Sequence, residues 1–246
     1  MAPYSKFYPL FLRLNEFKIP NALFKNISLA YDRANDGFLF FYRDANVEKK
    51  IHALSIVERI KSETIVELFS IEACQLFTLI ESTAKLEGEI AEVGTYNGGS
   101  AKIICEAKRS KPLHLFDTFE GIPEVEEIDA WRFSVGQYAA SLEALKDYLG
   151  EYPNVFFYKG VFPETATPVE EKAFSFVHLD VDTYKSTLNG LKFFYPRMCR
   201  GGVILSHDYL TARGVTQAFD EFFEERPEPV IALTGRQCMM NKLSDC

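Results

Sequence analysis

Three aspartates and two histidines, of which His207 adjoins an aspartate, fall in two short stretches, His178-Leu179-Asp180-Val181-Asp182-Thr183-Tyr184 and Ser206-His207-Asp208-Tyr209. Each stretch follows an apolar run that reads as a strand. On extended backbone Asp180 and Asp182 share a face, roughly 6.6 Å apart along the chain, and the ends of two neighbouring strands, about 4.8 Å apart, converge. Three carboxylates and an imidazole in so small a volume raise the carboxylate pKa values unless a cation or hydrogen bonds neutralise them. An oxygen-rich set of this kind suits Mg2+ or Ca2+, and His207 shifts the preference toward Mn2+ or a softer metal. Asp182 could instead cap a helix starting near Tyr184, and Asp208 could brace a loop. The functional reading is preferred because further candidate residues gather at the same sheet edge.

Those residues follow two earlier apolar runs. The first run ends in Glu92-Val93-Gly94-Thr95-Tyr96-Asn97-Gly98-Gly99-Ser100. Glycines allow a tight turn and a close approach of backbone to ligand, and the N-terminus of the helix that follows suits a carboxylate or phosphate. The Gly94/Gly98 spacing is not that of a dinucleotide fingerprint, and the acidic Glu92 suits a cationic or hydroxyl-bearing ligand. Asp117 lies 25 residues beyond Glu92 at the end of the next run. An acid ending the second strand of such a unit binds ribose hydroxyls, although it could also cap the next segment. Together the two features favour an adenosine-type ligand. His178 reads as a packed strand residue and His52 as helix surface. Trp131 could line a substrate pocket or anchor its loop.

These positions need a scaffold, and the pattern supplies one. Strands are expected at Glu89–Gly94, Leu113–Asp117, Val155–Tyr158, Phe174–Leu179 and Gly202–Ser206. They alternate with helices at Ser100–Lys108, Ser141–Leu149, Lys185–Tyr195 and Val215–Glu225. Val230–Leu233 and Gln237–Asn241 flank Thr234-Gly235-Arg236 as a closing hairpin. Alternating strands and helices imply an α/β, doubly wound, mostly parallel sheet covered on both faces. Its ligand site lies beyond the carboxyl ends of the strands, at the switch in strand order. In the stripe Val215, Ala218, Phe219, Phe222 and Phe223 the last helix presents core. Residues 1–86 lack strand alternation and read as an N-terminal helical cap or lid, with helices at Val47–Lys61 and Ile65–Leu86, and residues 87–246 form the core. The 246 residues suit one large domain.

Composition narrows the partners. A net charge of −8 and a pI near 5.2 disfavour nucleic acid. The five cysteines are odd in number and form no CxxC pair, which points to a reducing, cytoplasmic setting with neither a disulfide framework nor a zinc site. No stretch approaches the roughly 20 apolar residues that a membrane helix needs, and the opening MAPYSKFYPLFLRL lacks a signal-peptide cleavage pattern.

Five segments occur in order: Glu92 to Ser100, Phe116-Asp117-Thr118-Phe119-Glu120-Gly121, Phe162-Pro163-Glu164-Thr165, Leu179-Asp180-Val181-Asp182, and Gly201 to Tyr209. Together, over about Glu89 to Phe223, they resemble the macrocin, mycinamicin and novobiocin-type sugar O-methyltransferases. The first also resembles the corresponding turn of catechol O-methyltransferases. The resemblance implies a seven-stranded, Rossmann-like fold that binds S-adenosyl-L-methionine, usually with Mg2+, and takes a small-molecule hydroxyl acceptor in a homodimer or higher assembly. It places Glu92, Gly94, Tyr96 and Ser100 at the methionine end of the cofactor, Asp117, Thr118 and Phe119 at the ribose, and Gly160 to Phe162 near adenine. Asp180, beside the cofactor, joins His207 and Asp208 at the metal-ligand positions, and Asp182 matches the general base. The family's biosynthetic members carry two successive aspartates where this chain has His207-Asp208, so less charge is available to hold Mg2+. A metal-free variant of the reading makes His207 the base. A non-catalytic binding module would have no need of Glu92, Ser100 and Asp117 together. A nicotinamide-dependent oxidoreductase fits the Gly94/Gly98 spacing poorly.

Overall fold

The structure is a computed structural model that describes residues 45–244; the opening segment read above as lacking a signal-peptide pattern, and with it residues 1–44 of the expected N-terminal cap, lie outside the described residues. Lys49–Cys246 form one compact unit. Its strands are β1 (Glu89–Val93), β2 (Leu113–Asp117), β3 (Val155–Lys159), β4 (Phe174–Leu179), β5 (Met198–Ser206), β6 (Ile231–Ala232) and β7 (Cys238–Asn241). They form a seven-stranded sheet in the order β3-β2-β1-β4-β5-β7-β6. The first five strands are parallel, and β7 runs antiparallel to both β5 and β6 as the closing hairpin. The chain starts in the middle, winds outward to β3 and returns to β4, so the switch in strand order falls between β1 and β4.

The helices are α1 (Ala45–Glu63), α2 (Ser70–Thr83), α3 (Gly99–Ala107), α4 (Leu142–Tyr148), α5 (Tyr184–Phe194) and α6 (Arg213–Phe223). Alternation along the strands sends side chains to two cores, one on each face. Ile90, Leu115, Phe176 and Leu205 pack with α1, α2 and α3 on one face. Ala91, Phe116, Val177 and Ile204 pack with α5 and α6 on the other. The α6 stripe of Val215, Ala218, Phe219, Phe222 and Phe223 is fully part of this second core. The inner strands β1, β2 and β4 and the second half of β5 are buried on both faces, which explains their continuous apolar runs, whereas the edge strand β3 is only partly buried.

The largest departure from the expected elements concerns α2. The apolar spacing predicts a helix over Ile65–Leu86, but the helix begins at Ser70. Glu72 Oε2 accepts the Phe69 N–H at 2.7 Å and sets the helix start there. The preceding residues instead cross the start of α3 closely: a Cβ on Gly99 would stand 2.6 Å from the Ile65 carbonyl oxygen. Ala73, Leu76, Phe77 and Ile80 keep the expected apolar stripe and are buried. Of the cysteines, Cys105 is buried and Cys74 partly so, and the four described ones, Cys74, Cys105, Cys199 and Cys238, form no disulfide. No described helix is long and apolar enough to cross a membrane.

Gly94 is the position where the turn after β1 depends on lacking a side chain. Its φ is +88°, and a Cβ there would lie 1.8 Å from the Asp180 carbonyl oxygen, so β1 and β4 could not close at the switch point. Gly136 has a similar φ of +82° but open space around it. Gly94→Ala should therefore cost about 3 kcal/mol or more and lower the melting temperature by roughly 10 °C, whereas Gly136→Ala should cost only about 1 kcal/mol. Thermal melts of the two variants side by side check this; equal losses would refute the close-approach argument.

Candidate active site

The sheet register brings the candidate residues into one row. Val93 pairs with Phe116 and Leu179, Phe116 with Tyr158, and Leu179 with Ser206. One residue beyond these pairs stand Gly94, Asp117, Asp180 and His207. Backbone bonds hold the row: Gly94 N–H to Phe116 O at 2.9 Å, Asp180 N–H to Val93 O at 2.9 Å, His207 N–H to Leu179 O at 3.0 Å, and Gly160 N–H to Asp117 O at 2.9 Å. A cleft of about 1140 Å³, counted out to open solvent, runs along it. Gly94, Tyr96, Ser100, Asp117, Thr118, Gly160 and Phe162 line the cleft together with Asp180, Asp182, His207 and Asp208.

Two expected residues do not line it. Glu92 is fully buried, its Oε1 2.9 Å from His178 Nδ1 on the neighbouring strand, while its Oε2 has no protein partner. Burial pushes the Glu92 carboxyl up. Glu92 thus does not line the cleft as expected: it stands behind the wall and ties β1 to β4, and His178 is the packed strand residue expected. Phe119 also turns away, into the core beneath α3 and α4, and only its N–H reaches the site, donating to Asp117 Oδ1 at 2.6 Å. Asp117 Oδ2 accepts the N–H groups of Thr95 and Tyr96, each at 2.8 Å. The aspartate thus shapes the glycine turn as well as facing the cleft.

The acidic end of the cleft is more elaborate than the spacing implied. β4 stops at Leu179, and a γ-turn with Thr183 N–H donating to Val181 O puts Asp182 at a φ of +63°. The extended geometry assumed for Asp180 and Asp182 is therefore absent, though both face the cleft. Nor does Asp182 cap α5: Asp129 Oδ2 accepts the Tyr184 N–H at 2.8 Å. Asp208 has a φ of +60°, and Tyr96 and Tyr138, whose rings meet edge to face in the cleft wall, also have positive φ. Such backbone is strained by an amount of order 1–3 kcal/mol per residue and gathers at functional sites. Asp208 does brace a loop, accepting Thr211 Oγ1–H at 2.6 Å on Oδ1.

His207 sits among carboxylates. Its Nδ1 is 3.2 Å from Asp180 Oδ1 and 3.4 Å from Asp208 Oδ2, and its Nε2 is 3.3 Å from Glu72 Oε2. Burial opposes a charge on the ring, but Asp180, Asp208 and Glu72 outweigh it, and the pKa is pushed up to about 12. In that state His207 holds its proton at neutral pH. For Asp208, burial alone would raise the pKa, yet His207, Thr211 and Arg132 hold the carboxyl well below its usual range. His207 and Arg132 act on Asp182 as well, but burial together with Asp180 and Asp208 outweighs them and pushes it well up.

Three charged residues of this network were not anticipated. Arg132 Nη2 donates to Asp208 Oδ1 at 3.1 Å. Arg236, in the hairpin turn, donates from its backbone N–H to Glu72 Oε1 at 2.7 Å and from Nη2 to Glu72 Oε2 at 2.9 Å. Glu72 itself has no exposed surface. The usable signal was an acid beside the apolar stripe of α2, because a charge on a buried face needs a partner. Trp131 is 57% exposed and lies under the Arg213 guanidinium, and His52, exposed on α1, meets the Phe77 ring edge to face.

The donor set can hold a divalent cation. One donor atom each from Asp180, His207 and Asp208 lie within 4.8 Å of one another. The two closest separations, 3.2 and 3.4 Å, are near the ~3 Å expected between adjacent ligands with bonds of about 2.1 Å. The outward ring nitrogen held by a carboxylate is what metal-bound histidines show.

A parallel sheet with its switch point between β1 and β4, an antiparallel closing hairpin and a cleft along the carboxyl edge define the fold of the class I S-adenosylmethionine-dependent methyltransferases. The solved O-methyltransferase NovP superposes with a TM-score of 0.60 at 24% identity, over 70% of this chain and 79% of its own. An O-methyltransferase from Bacillus cereus, solved in complex with SAH, does so with a TM-score of 0.55 at 12% identity, over 86% and 97%. The sequence profile of the family described as macrocin O-methyltransferase (TylF) matches residues 74–234, and the chain belongs to that family. Among curated relatives, demethyldecarbamoylnovobiocin O-methyltransferase of Streptomyces niveus is 27% identical over 55% of this chain and 58% of its own length. Mycinamicin III 3''-O-methyltransferase of Micromonospora griseorubida is 26% identical over 50% and 55%. The chain thus spans little more than half the length of these relatives.

The Glu72 contacts carry a consequence for stability. Burial opposes its ionised form, but His207 and Arg236 hold the pKa at about 2, below the ordinary 4.5. A depressed carboxylate stabilises the fold above its unfolded pKa, and that contribution is lost as pH falls through the folded pKa. The stability gap between wild type and Glu72→Gln should be about 3 kcal/mol at pH 6 and should shrink between pH 4.5 and 2. Urea unfolding at a series of pH values measures it; a pH-independent gap would contradict the ion-pair account.

Proposed function

We propose that this protein transfers the methyl group of S-adenosylmethionine to a hydroxyl oxygen of a small molecule, a sugar or another polyol of natural-product type. The observation that carries the reading is the single row at the sheet edge. It joins a glycine turn and Asp117, suited to an amino-acid nucleoside, to an acidic cluster suited to a hydroxyl, in one cleft. Family membership and the names of the relatives support the same reaction class.

The start of α3, with Ser100, would hold the carboxylate of the methionine moiety, with the Gly94 turn and Tyr96 alongside. Asp117 and Thr118 would take the ribose, and Gly160 and Phe162 the adenine. The cofactor supplies a methyl group on a sulfonium whose departure as a thioether needs no acid. What remains for the protein is alignment and removal of one proton. Asp182 would accept the hydroxyl proton as the acceptor oxygen takes the methyl group and the thioether leaves. In its ionised form a carboxyl whose pKa is raised is a stronger base than an ordinary one. The proton held on His207 removes it from the role of base in the metal-free state.

A divalent cation on Asp180, His207 and Asp208 would act as a Lewis acid toward the acceptor hydroxyl. The nitrogen ligand favours Mn2+ over Mg2+. The described part of the expected cap that precedes α2 is read as the acceptor side, because Ile65, Val66 and Leu68 line the cleft.

Calorimetry with S-adenosylhomocysteine tests the cofactor half. Wild type should bind it, and Asp117→Ala should weaken binding tenfold or more; no binding by wild type would end the methyltransferase reading. Titration of Mn2+ and then Mg2+ into that complex should show one site that Asp208→Ala removes. Turnover on a panel of glycosides and polyols tests the other half. Asp182→Asn should lower kcat by about 10²–10⁴-fold while leaving S-adenosylhomocysteine affinity within threefold; an active variant would move the base elsewhere.

A further inference from the structure

We propose that Glu72 is a positioning residue for the reaction centre. It takes the Nε2 proton of His207 and so fixes Nδ1 as the ring nitrogen that faces Asp180 and Asp208. The proposal rests on the methyl-transfer reading above for its purpose, but not for its geometry.

An ionised carboxylate can only accept, so a histidine nitrogen 3.3 Å from Glu72 Oε2 must carry a proton. That leaves Nδ1 as the nitrogen between Asp180 at 3.2 Å and Asp208 at 3.4 Å. A bare lone pair facing two carboxylates would be repelled, so a proton or a cation occupies the space between them. Which nitrogen faces the site is set by the bond that the other makes, and here that bond comes from α2, 135 residues away in sequence.

Glu72 is itself held in place. Oε2 also accepts from Phe69 N–H at 2.7 Å and Arg236 Nη2 at 2.9 Å. Oε1 accepts from the Arg236 backbone N–H at 2.7 Å and its Nε at 3.1 Å. The hairpin turn closes directly over the carboxylate: a Cβ on Gly235, where φ is +96°, would stand 2.6 Å from Oε1. Starting a helix and latching a hairpin require no contact with His207. That contact aims a carboxylate with fixed geometry at one ring nitrogen.

The test is nitrogen-15 NMR of the imidazole rings in the full chain, with His207 assigned by its loss in His207→Gln. The chain has four histidines, so the other three serve as internal references. Wild type should show a protonated, exchange-protected Nε2 on His207. Glu72→Gln should move both ring-nitrogen resonances of His207 and remove the exchange protection while leaving the other three in place. A wild-type His207 with a bare Nε2 overturns the proposal by itself, whether or not any variant folds. So does a Glu72→Gln protein whose His207 resonances are unmoved, which would leave Glu72 a latch for α2 and the hairpin only. Calorimetry with S-adenosylhomocysteine on the same wild-type sample separates the two claims. Failure to bind would sink the methyltransferase reading and leave the ring-nitrogen result standing.

Discussion

Carboxylates crowded at one end of a buried sheet edge must be neutralised, and much of the architecture around the cleft follows from how this is done. Asp180, Asp208 and Glu72 approach a single imidazole, and Arg132 and Arg236 close on the outer oxygens. None of these cations comes from the strand that carries Asp180. Arg132 comes from the loop after β2, Arg236 from the hairpin turn and His207 from the end of β5. Removing one partner of such a set strands a charge away from water, which costs several kcal/mol. Loop, hairpin and α2 are therefore held to the sheet edge by the same charges that shape the site.

Asp182 is the exception within the cluster. It sits in a strained γ-turn and faces the cleft, and burial with the neighbouring Asp180 and Asp208 outweighs His207 and Arg132, so its carboxyl is pushed up while that of Asp208 is held down. Two carboxylates from the same cluster are thus pushed in opposite directions by their neighbours, as the proposed roles of Asp208 as a ligand and Asp182 as a proton acceptor require. The other half of the cleft shows a similar double use of one acid. Asp117 accepts hydrogen bonds from Thr95, Tyr96 and Phe119 and so builds the turn beside which the nucleoside would lie.

The parallel sheet, most of its strand boundaries and the row at its carboxyl edge were legible because they rest on local signals: apolar runs, glycine turns, and polar residues at or just past the strand ends; β5, expected from Gly202, begins earlier, at Met198. Register then did the rest, since Val93, Phe116, Leu179 and Ser206 align without any further information. What local signals could not show is where a side chain goes once its strand has ended. Glu92 has the right spacing for a ligand contact, but it points along the sheet to His178, a partner 86 residues away. Phe119 follows Asp117 closely, yet its left-handed backbone turns the ring into the core. Glu72, Arg132 and Arg236 were missed for the complementary reason: each is an isolated charge whose meaning lies in a tertiary partner. The misplaced start of α2 is part of the same omission, because the Glu72 carboxylate that reaches His207 also sets the helix start by accepting the Phe69 N–H.

An imidazole rather than a carboxylate at position 207 can be understood in these terms. An aspartate there would add a third negative ligand and would demand a cation to hold the cluster together. An imidazole can carry its own proton in that place, and Glu72 stabilises the protonated ring from the far side. The cluster is therefore charge-balanced with a proton between Nδ1 and the two aspartates, and a divalent ion must displace that proton in order to bind. Metal affinity at this site should consequently rise with pH, as it does wherever a ligand must first lose a proton. The carboxylate of Glu72 works in both states, because it accepts from Nε2 whether Nδ1 faces a proton or a metal.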